Sequence, residues 1–431
     1  MAVDLDADVQ GNVLRPFEGS HQAFLVLTFG SRRAGARTWL SGVADRIDKE
    51  PGLLSVSLTA TGLVTLRPGT ADHLVIFEAF WKGPLGNRFD DDGRITSTAA
   101  LLGDVGPGDP MSWVVGGPRR PPVDALLTVA ADDLEELRDR VAQEERAVAE
   151  AGLRVAFTQY GAVIRNADGK PIEHFGFVEG IANPVDIATG EFVLGLTGER
   201  RPLNLPPRPT PAAWMHGGSF HVFRRLRQDV QGWWDKMAEL SDDATPPEEV
   251  AARAIGRRLD GTPLAGGDGD DFTFRGDEDG ARTPLYAHIR KMNPRRNEIF
   301  RDRSRRILRR GIPYGRSPDP DAPDGDDRGM LFNAYMASIE DQFEFLQRCW
   351  ANDPGFPSST VAKFDRRTDP GFDGMDPVIG HSPESARRRH GDAVRGVPAL
   401  AFGGFVTTTG SIYAFAPSRP ALRHLAGDHR E

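Results

Sequence analysis

An apolar strand followed at once by an amphipathic helix occurs twice in the first 165 residues, and this repetition restricts the fold more than any single motif. HQAFLVLTF (21–29) reads as a strand, and ARTWLSGVADRIDKE (36–50) carries apolar residues at helical spacing up to a Pro-Gly break. ALLTVAADDLEELRDRVAQEERAVAEAG repeats the scheme, with an Asp-rich helix start and a helix that runs to Gly152. LRVAFTQYGAVI then returns as a strand, and LLSVSLTATGLVTLRP (53–68) reads as a hairpin around Thr61-Gly62. Two such passages with antiparallel partners predict an α+β fold of the ferredoxin-like kind. From about residue 190 the texture resembles itself. GSFHVFRRLRQDVQGWWDKMAEL is strand then helix, EEVAARAIGRRL is helix, and GGFVTTTGSIYAFAPS is read as a closing hairpin. The expected architecture is two ferredoxin-like domains, 1–165 and 166–431, each an antiparallel sheet packed with helices.

Composition removes whole classes of function. The 431 residues carry 53 Lys+Arg against 62 Asp+Glu, a net charge of −9, which argues against a general nucleic-acid binder. No uninterrupted apolar run reaches the length of a membrane span. MAVDLDADVQ puts acids where a secretory signal has basic then apolar residues, so a cytoplasmic protein is expected. The one cysteine, Cys349, excludes an intramolecular disulfide and a thiolate metal cluster, and within FEFLQRCWAND it reads as a buried thiol on a packed helix. DPDAPDGDDRG lacks the spacing and terminal Glu of a calcium loop and reads as a solvated turn.

Three segments carry chemistry. HFGFVEGIANP (174–184) sets Glu179 between Gly176 and Gly180. AHIRKMNPR (287–295) offers the single His288, and RRILRRGIPYG (305–315) reads as a basic helix end. Taken singly, these are a turn, a satisfied histidine and a solvated face. Together, a carboxylate, an arginine and a histidine are the parts of a haem peroxidase. Haem iron takes a neutral imidazole as axial ligand. Peroxide cleavage needs a group that moves a proton between its two oxygens, and a cation for the charge that develops.

With these segments in view, the chain resembles the dye-decolourising peroxidases, in particular the larger bacterial type with extended loops. DVQGNVLRPF, HFGFVEGIANP, GEFVLG, FHVFRRLRQDV, HIRKMNPR, RRILRRGIPYG, GMLFNAYMASIEDQFEFLQ and YAFAPS carry the resemblance over nearly the whole chain, in the family's order. It implies haem b in the C-terminal domain, with His288 as the axial iron ligand and Arg309 as the distal arginine. Glu179 falls where the family has the Asp of GxxDG, so the carboxyl group sits one methylene further out. Gly180 and Ile181 follow it on the same loop, and Met330 and Phe332 match residues roofing the distal face. Arg290, Arg295 and Arg310 are candidates for the haem propionates, because a guanidinium grips a carboxylate in two places.

The implied partners are hydrogen peroxide and a small-molecule reductant such as a dye or phenol, with no nucleic acid and no membrane. Glu179 is expected to be held ionised by Arg309, with activity favouring mildly acidic pH. Tyr160, Tyr314, Tyr335, Trp233 and Trp234 are candidates, by residue type alone, for carrying electrons to bulky substrates. Two rivals stand beside this reading. One is a haem-binding protein of low turnover, and the other an anion-binding role for the arginines of 295–310.

Overall fold

Strand β1, His21–Thr28, is buried along nearly its whole length, so both faces of the sheet that receives it must be covered. The computed structural model shows that sheet; it describes residues 3–49, 52–90, 92–181, 183–184, 190–197, 208–267, 269–295, 305–317, 326–353, 355–357, 374–381 and 403–427. After β1 come helix α1 (Arg33–Lys49), β2 (Leu54–Leu58), a short α2 (Ala60–Leu66), β3 (Ala125–Ala131), α3 (Leu134–Glu150) and β4 (Arg154–Ala162). These strands lie in the order β2-β3-β1-β4, all antiparallel.

The second half repeats that order. Its strands are β5 (Ser219–Gln228), the broken pair β6 (Leu308–Arg309) and β7 (Ile312–Tyr314), β8 (Gly329–Met336) and β9 (Val406–Ala416). β6 and β7 both pair with β8, which pairs with β5, which pairs with β9. Second-third-first-fourth is the ferredoxin-like order in both halves. β9 meets β2 through Phe415 and Leu58, which makes one continuous sheet of nine strands. Helices α4 (Val230–Glu239), α5 (Pro247–Ile255) and α6 (His288–Met292) follow β5, two π-helical stretches (Ile339–Glu344 and Leu346–Ala351) follow β8, and α7 (Arg419–Ala426) closes the chain.

One face of the sheet packs against α1, α3 and α7 through residues such as Leu25, Val56, Leu127, Val222 and Phe415. The other face, with Phe24, Leu126, Phe223 and Ile412, is covered by the segment around Val115. The N-terminal residues tie the halves together. Gln10 bonds to the backbone of Val56 and Pro417, Asn12 donates to the Tyr335 hydroxyl, and Arg310 donates to the carbonyls of Asn12, Val13 and Leu14. Among the described residues, no helix is long and apolar enough to cross a membrane.

Four local expectations are corrected. The hairpin around Thr61-Gly62 is instead β2 followed by α2: Thr59 caps the helix by accepting from the Gly62 amide at 3.2 Å. Gly62 also lies so close to the Asp124 carbonyl that a Cβ would meet its oxygen at 1.9 Å. The closing hairpin is one strand, β9, bulged between Thr408 and Gly410, where the Val115 side chain closes on the glycine. The basic helix end at 305–315 is the strand pair β6 and β7, with Leu308 inward and Arg309 on the opposite side. Cys349 is exposed, because the helix that bears it is π-wound and its register differs from a 3.6-residue reading. The DPDAPDG turn, at 319–325, and arginines 296, 301 and 303 lie outside the described residues.

Candidate functional site

Arg309 pairs with Ala334 of β8, and alternation along β8 puts Met330, Phe332 and Ala334 on one face. That face is the one bearing the helices, since Ala334 and Met336 belong to its core and Phe332 packs at its margin. The sheet thus presents Arg309, Phe332 and Met330 together. Burial is the largest influence on the Arg309 charge, yet much of the side chain's surface is open. Arg309 therefore lines a space within the protein rather than packing into solid core.

Glu179 reaches the same space from a folded loop. Gly176 and Gly180 have φ of +98° and +78°, values glycine adopts without strain. Among the described residues beyond its chain neighbours, no atom lies within 4 Å of where a Cβ on Gly180 would sit, so the backbone is open on that side. Phe175 stacks on Trp233 of α4 at 4.5 Å, and Phe175, Phe177, Trp233 and Tyr286 share one small core. Loop, α4–α5 pair and the residues preceding His288 are thereby fixed to one another. Ile181 turns toward Gly261, and Asn183 Oδ1 accepts from the Arg309 backbone amide at 3.1 Å, tying the loop to β6. Glu173 holds the loop's start: its carboxylate accepts from the amides of Phe175 and Phe177 at 2.9 and 3.0 Å and from Gln228 at 2.6 Å.

The electrostatics reverse one expectation. Arg309 draws the Glu179 carboxyl toward ionisation, but burial, followed by the neighbouring Glu173, outweighs it and lifts Glu179 to about 8. Glu179 is therefore a neutral acid at neutral pH. Burial raises Glu173 as well, against the pull of its amide donors.

His288 opens α6. Its Nδ1 donates to Asp376 Oδ2 at 2.8 Å. Asp376 is wholly buried, accepts from the Val378 and Ile379 amides, and is held below its ordinary value by His288 and these donors. With Nδ1 bonded to Asp376, Nε2 is the ring nitrogen left for a ligand, and a quarter of the side chain is open. A buried carboxylate behind an imidazole is the usual support for a metal-ligating histidine. Sequence reading gave no partner for His288, because Asp376 is 88 residues away.

The rest of HIRKMNPR positions that histidine. Arg290 is buried and donates to Asp277 and to the Thr283 carbonyl. Lys291 donates to the carbonyls of Asp353, Phe356 and Gly374, which secures the segment leading to Asp376. Of the propionate candidates, Arg290 bonds to Asp277 and Thr283, and Arg310 to the N-terminal carbonyls. Arg295 bonds to Asp270, and among the described residues its buried Nε has no partner, so it retains a donor for a ligand carboxylate. Of the candidate electron carriers, Tyr314, Tyr335 and Trp233 are buried in the core, Trp234 is half-buried, and Tyr160 is exposed at 37%. The first three are not surface relays.

These residues fit a flat iron-bearing group. An imidazole with a proton-holding partner offers the axial nitrogen, and open space adjoins Gly180 and Arg309. An unpartnered guanidinium nitrogen offers a propionate contact.

Comparison with known proteins points the same way. A family model described as Dyp-type peroxidase, C-terminal, matches residues 170–364. The chain is 30% identical to the multifunctional dye peroxidase DyP2 of an Amycolatopsis species, over 97% of this chain and 95% of that one. It is 32% identical to a dye-decolorizing peroxidase of Thermobifida fusca, over 75% of this chain and 68% of the relative. In fold it matches a fungal DyP-type peroxidase from Auricularia auricula-judae, with a TM-score of 0.78 at 22% identity, covering 99% of this chain and all of the other.

Proposed function

This chain belongs to the dye-decolourising peroxidase family, and we propose that Glu179, Arg309 and His288 are the residues through which it reduces hydrogen peroxide at a bound haem b. The second ferredoxin-like domain, residues 166–431, would hold the haem, with His288 Nε2 supplying the nitrogen for its iron. Arg295 would contact a propionate, and Gly180, Ile181, Met330 and Phe332 would line the haem's pocket. When bound, the haem supplies the iron at which the peroxide O–O bond breaks and the oxidising equivalents that a dye or phenolic reductant then consumes one electron at a time.

The chain's own residues do the rest. Asp376 keeps the proton on His288 Nδ1 and so the lone pair on Nε2. Arg309 orients peroxide and offsets developing negative charge, an effect strengthened where water is scarce. Glu179, in the slot where the family has aspartate, accepts the proton from one peroxide oxygen and delivers it to the other. Its neutral resting form means that the base must first be generated.

The observation that carries this reading is the acid–arginine pair facing open space inside the fold. The test is rapid mixing of haem-loaded protein with one equivalent of hydrogen peroxide, followed at the Soret band. Fast conversion, lost in Arg309→Ala and Glu179→Ala and preceded by loss of haem binding in His288→Ala, is expected. A Soret band that does not respond from acid to alkaline pH would refute the peroxidase. A second reading, haem binding with slow peroxide turnover, draws on one observation: the Glu179 carboxyl is neutral below about pH 8.

A further inference from the structure

The helix-bearing face of the second half holds a buried acid–phenol pair that the mechanism above does not use. Tyr413 of β9 and Glu344 of the first π-helical stretch are both buried. Each lies within the other's electrostatic influence. Among the described residues, neither the Tyr413 hydroxyl nor Glu344 Oε1 has a partner in hydrogen-bond geometry. Polar atoms left without a partner in an interior are costly, and where they persist they call for a chemical reason. Arg88 lies 3.4 Å from Glu344 Oε2 and also pairs with the exposed Glu340. Arg224, paired with Asp104, faces the other side of the same cluster. Arg348 also acts on Glu344. Burial lifts Glu344 to about 7, so its basic form is accessible near neutrality.

Two observations connect this pair to the site. The strand registers place Arg309, Ala334, Val222 and Tyr413 in one row across β6, β8, β5 and β9, on the same face. Three strand spacings separate the ends of that row, about 14 Å. Aromatic rings bridge most of the interval. Phe332, beside Arg309, has its ring centroid 5.9 Å from Phe343, and Phe343 lies 6.1 Å from Tyr413 in an edge-on arrangement.

We propose that Tyr413 is an internal redox-active tyrosine that gives one electron to the peroxide-oxidised site while its phenolic proton passes to the Glu344 carboxylate. This rests on the peroxidase reading. The step balances: the O–H bond of Tyr413 breaks, the electron moves through Phe343 and Phe332 toward the site, and the proton forms an O–H bond on Glu344. A neutral tyrosyl radical and a carboxylic acid remain, and an external reductant reverses the step. Keeping the proton beside the phenol avoids forming a buried phenol cation, a charge that the interior would not tolerate without a partner.

Freeze-quenched electron paramagnetic resonance on haem-loaded protein treated with peroxide reads the radical directly. Wild-type protein grown with ring-deuterated tyrosine should show a tyrosyl signal with collapsed hyperfine structure. Tyr413→Phe, which keeps the ring packing, should lower its yield at least tenfold with an unchanged Soret band. Glu344→Gln, which keeps the phenol and removes the acceptor, should slow radical formation by a similar factor. An undiminished tyrosyl signal in Tyr413→Phe overturns the assignment, as does an unaffected rate in Glu344→Gln. Absence of the signal from the wild-type protein also overturns it. The Soret band then shows which reading failed: an unresponsive band removes the peroxidase as well, whereas a converted band removes only the tyrosine.

Discussion

The two halves of the sheet have the same strand order and opposite uses for it. In the first half the face under α1 and α3 is apolar on its inner strands, where Ala23, Leu25, Leu27, Val56, Leu58, Leu127 and Val129 pack into one core, and polar groups such as Thr158 and Tyr160 sit on the edge strand β4. In the second half the equivalent face carries Arg224, Arg309, Met330 and Phe332. The layer above it is also different. Two regular helices of 17 residues cover the first half, whereas loops, the short α6 and π-helical stretches lie over the second. A closed apolar layer gives stability and no site. An interrupted one leaves room, and the groups that line it bear the desolvation that shifts their charge.

This contrast can be broken at either half, and the largest effect is expected at Arg309. Arg309→Ala should slow the reaction of haem-loaded protein with peroxide by roughly 100- to 1000-fold, the usual loss when an oriented charge-stabilising donor is removed. Stopped-flow measurement of the Soret transition checks this. Asp376→Asn comes next, with haem affinity expected to fall roughly 10- to 100-fold as His288 loses its support; spectrophotometric haem titration reads it.

The third is a pH dependence. Because the Glu179 carboxyl is raised to about 8, the fraction of base should climb about tenfold per pH unit below that value and level off above it. The peroxide step should follow, and Glu179→Gln should be slow and flat. This replaces the acidic preference expected from sequence for that step. The sign for stability is opposite. A fold that favours the neutral acid gains from Glu179 below its ordinary value of 4.5, and that gain is lost as pH rises to about 8.

In the first half the prediction is an absence of chemical effect. Leu127→Ala should cost about 2–5 kcal/mol in chemical denaturation, by transfer and cavity terms, while the folded fraction reacts with peroxide at the wild-type rate. The smallest effect is at the corrected turn. Thr59→Ala removes the cap of α2 and should cost about 1 kcal/mol, again without touching the peroxide step. A large rate loss in either variant would mean that the halves are chemically coupled rather than only joined.

Much of this was legible in the residues. The strand and helix of each first passage, HQAFLVLTF with α1 and ALLTVAADDL with α3, follow from hydrophobic period and an Asp133 cap. Errors fell where a distant contact outvoted the local pattern. Residues 60–66 have β-branched and turn character, yet they form α2 because Gly62 fits only against Asp124. Gly410 looked like a turn and is a bulge, because Val115 from a remote segment lies against it.

The site divides in the same way. Residue type and order set out the parts: a carboxylate at 179 between two glycines, an imidazole at 288 and a guanidinium at 309, the last on a strand where sequence suggested a helix end. Their meaning depended on what faces them. Asp376 fixes the histidine's tautomer across 88 residues, Asn183 ties the acid's loop to the arginine's strand, and Glu173 with burial makes the acid neutral where a lone arginine would have ionised it. Sequence alone determined which functional groups this chain possesses and the ferredoxin-like kind of fold that carries them, because these follow from local periodicity and residue chemistry. Only the tertiary structure decided their protonation, their partners and which arginines remain available, because those depend on distances and dielectric environment that no local pattern encodes.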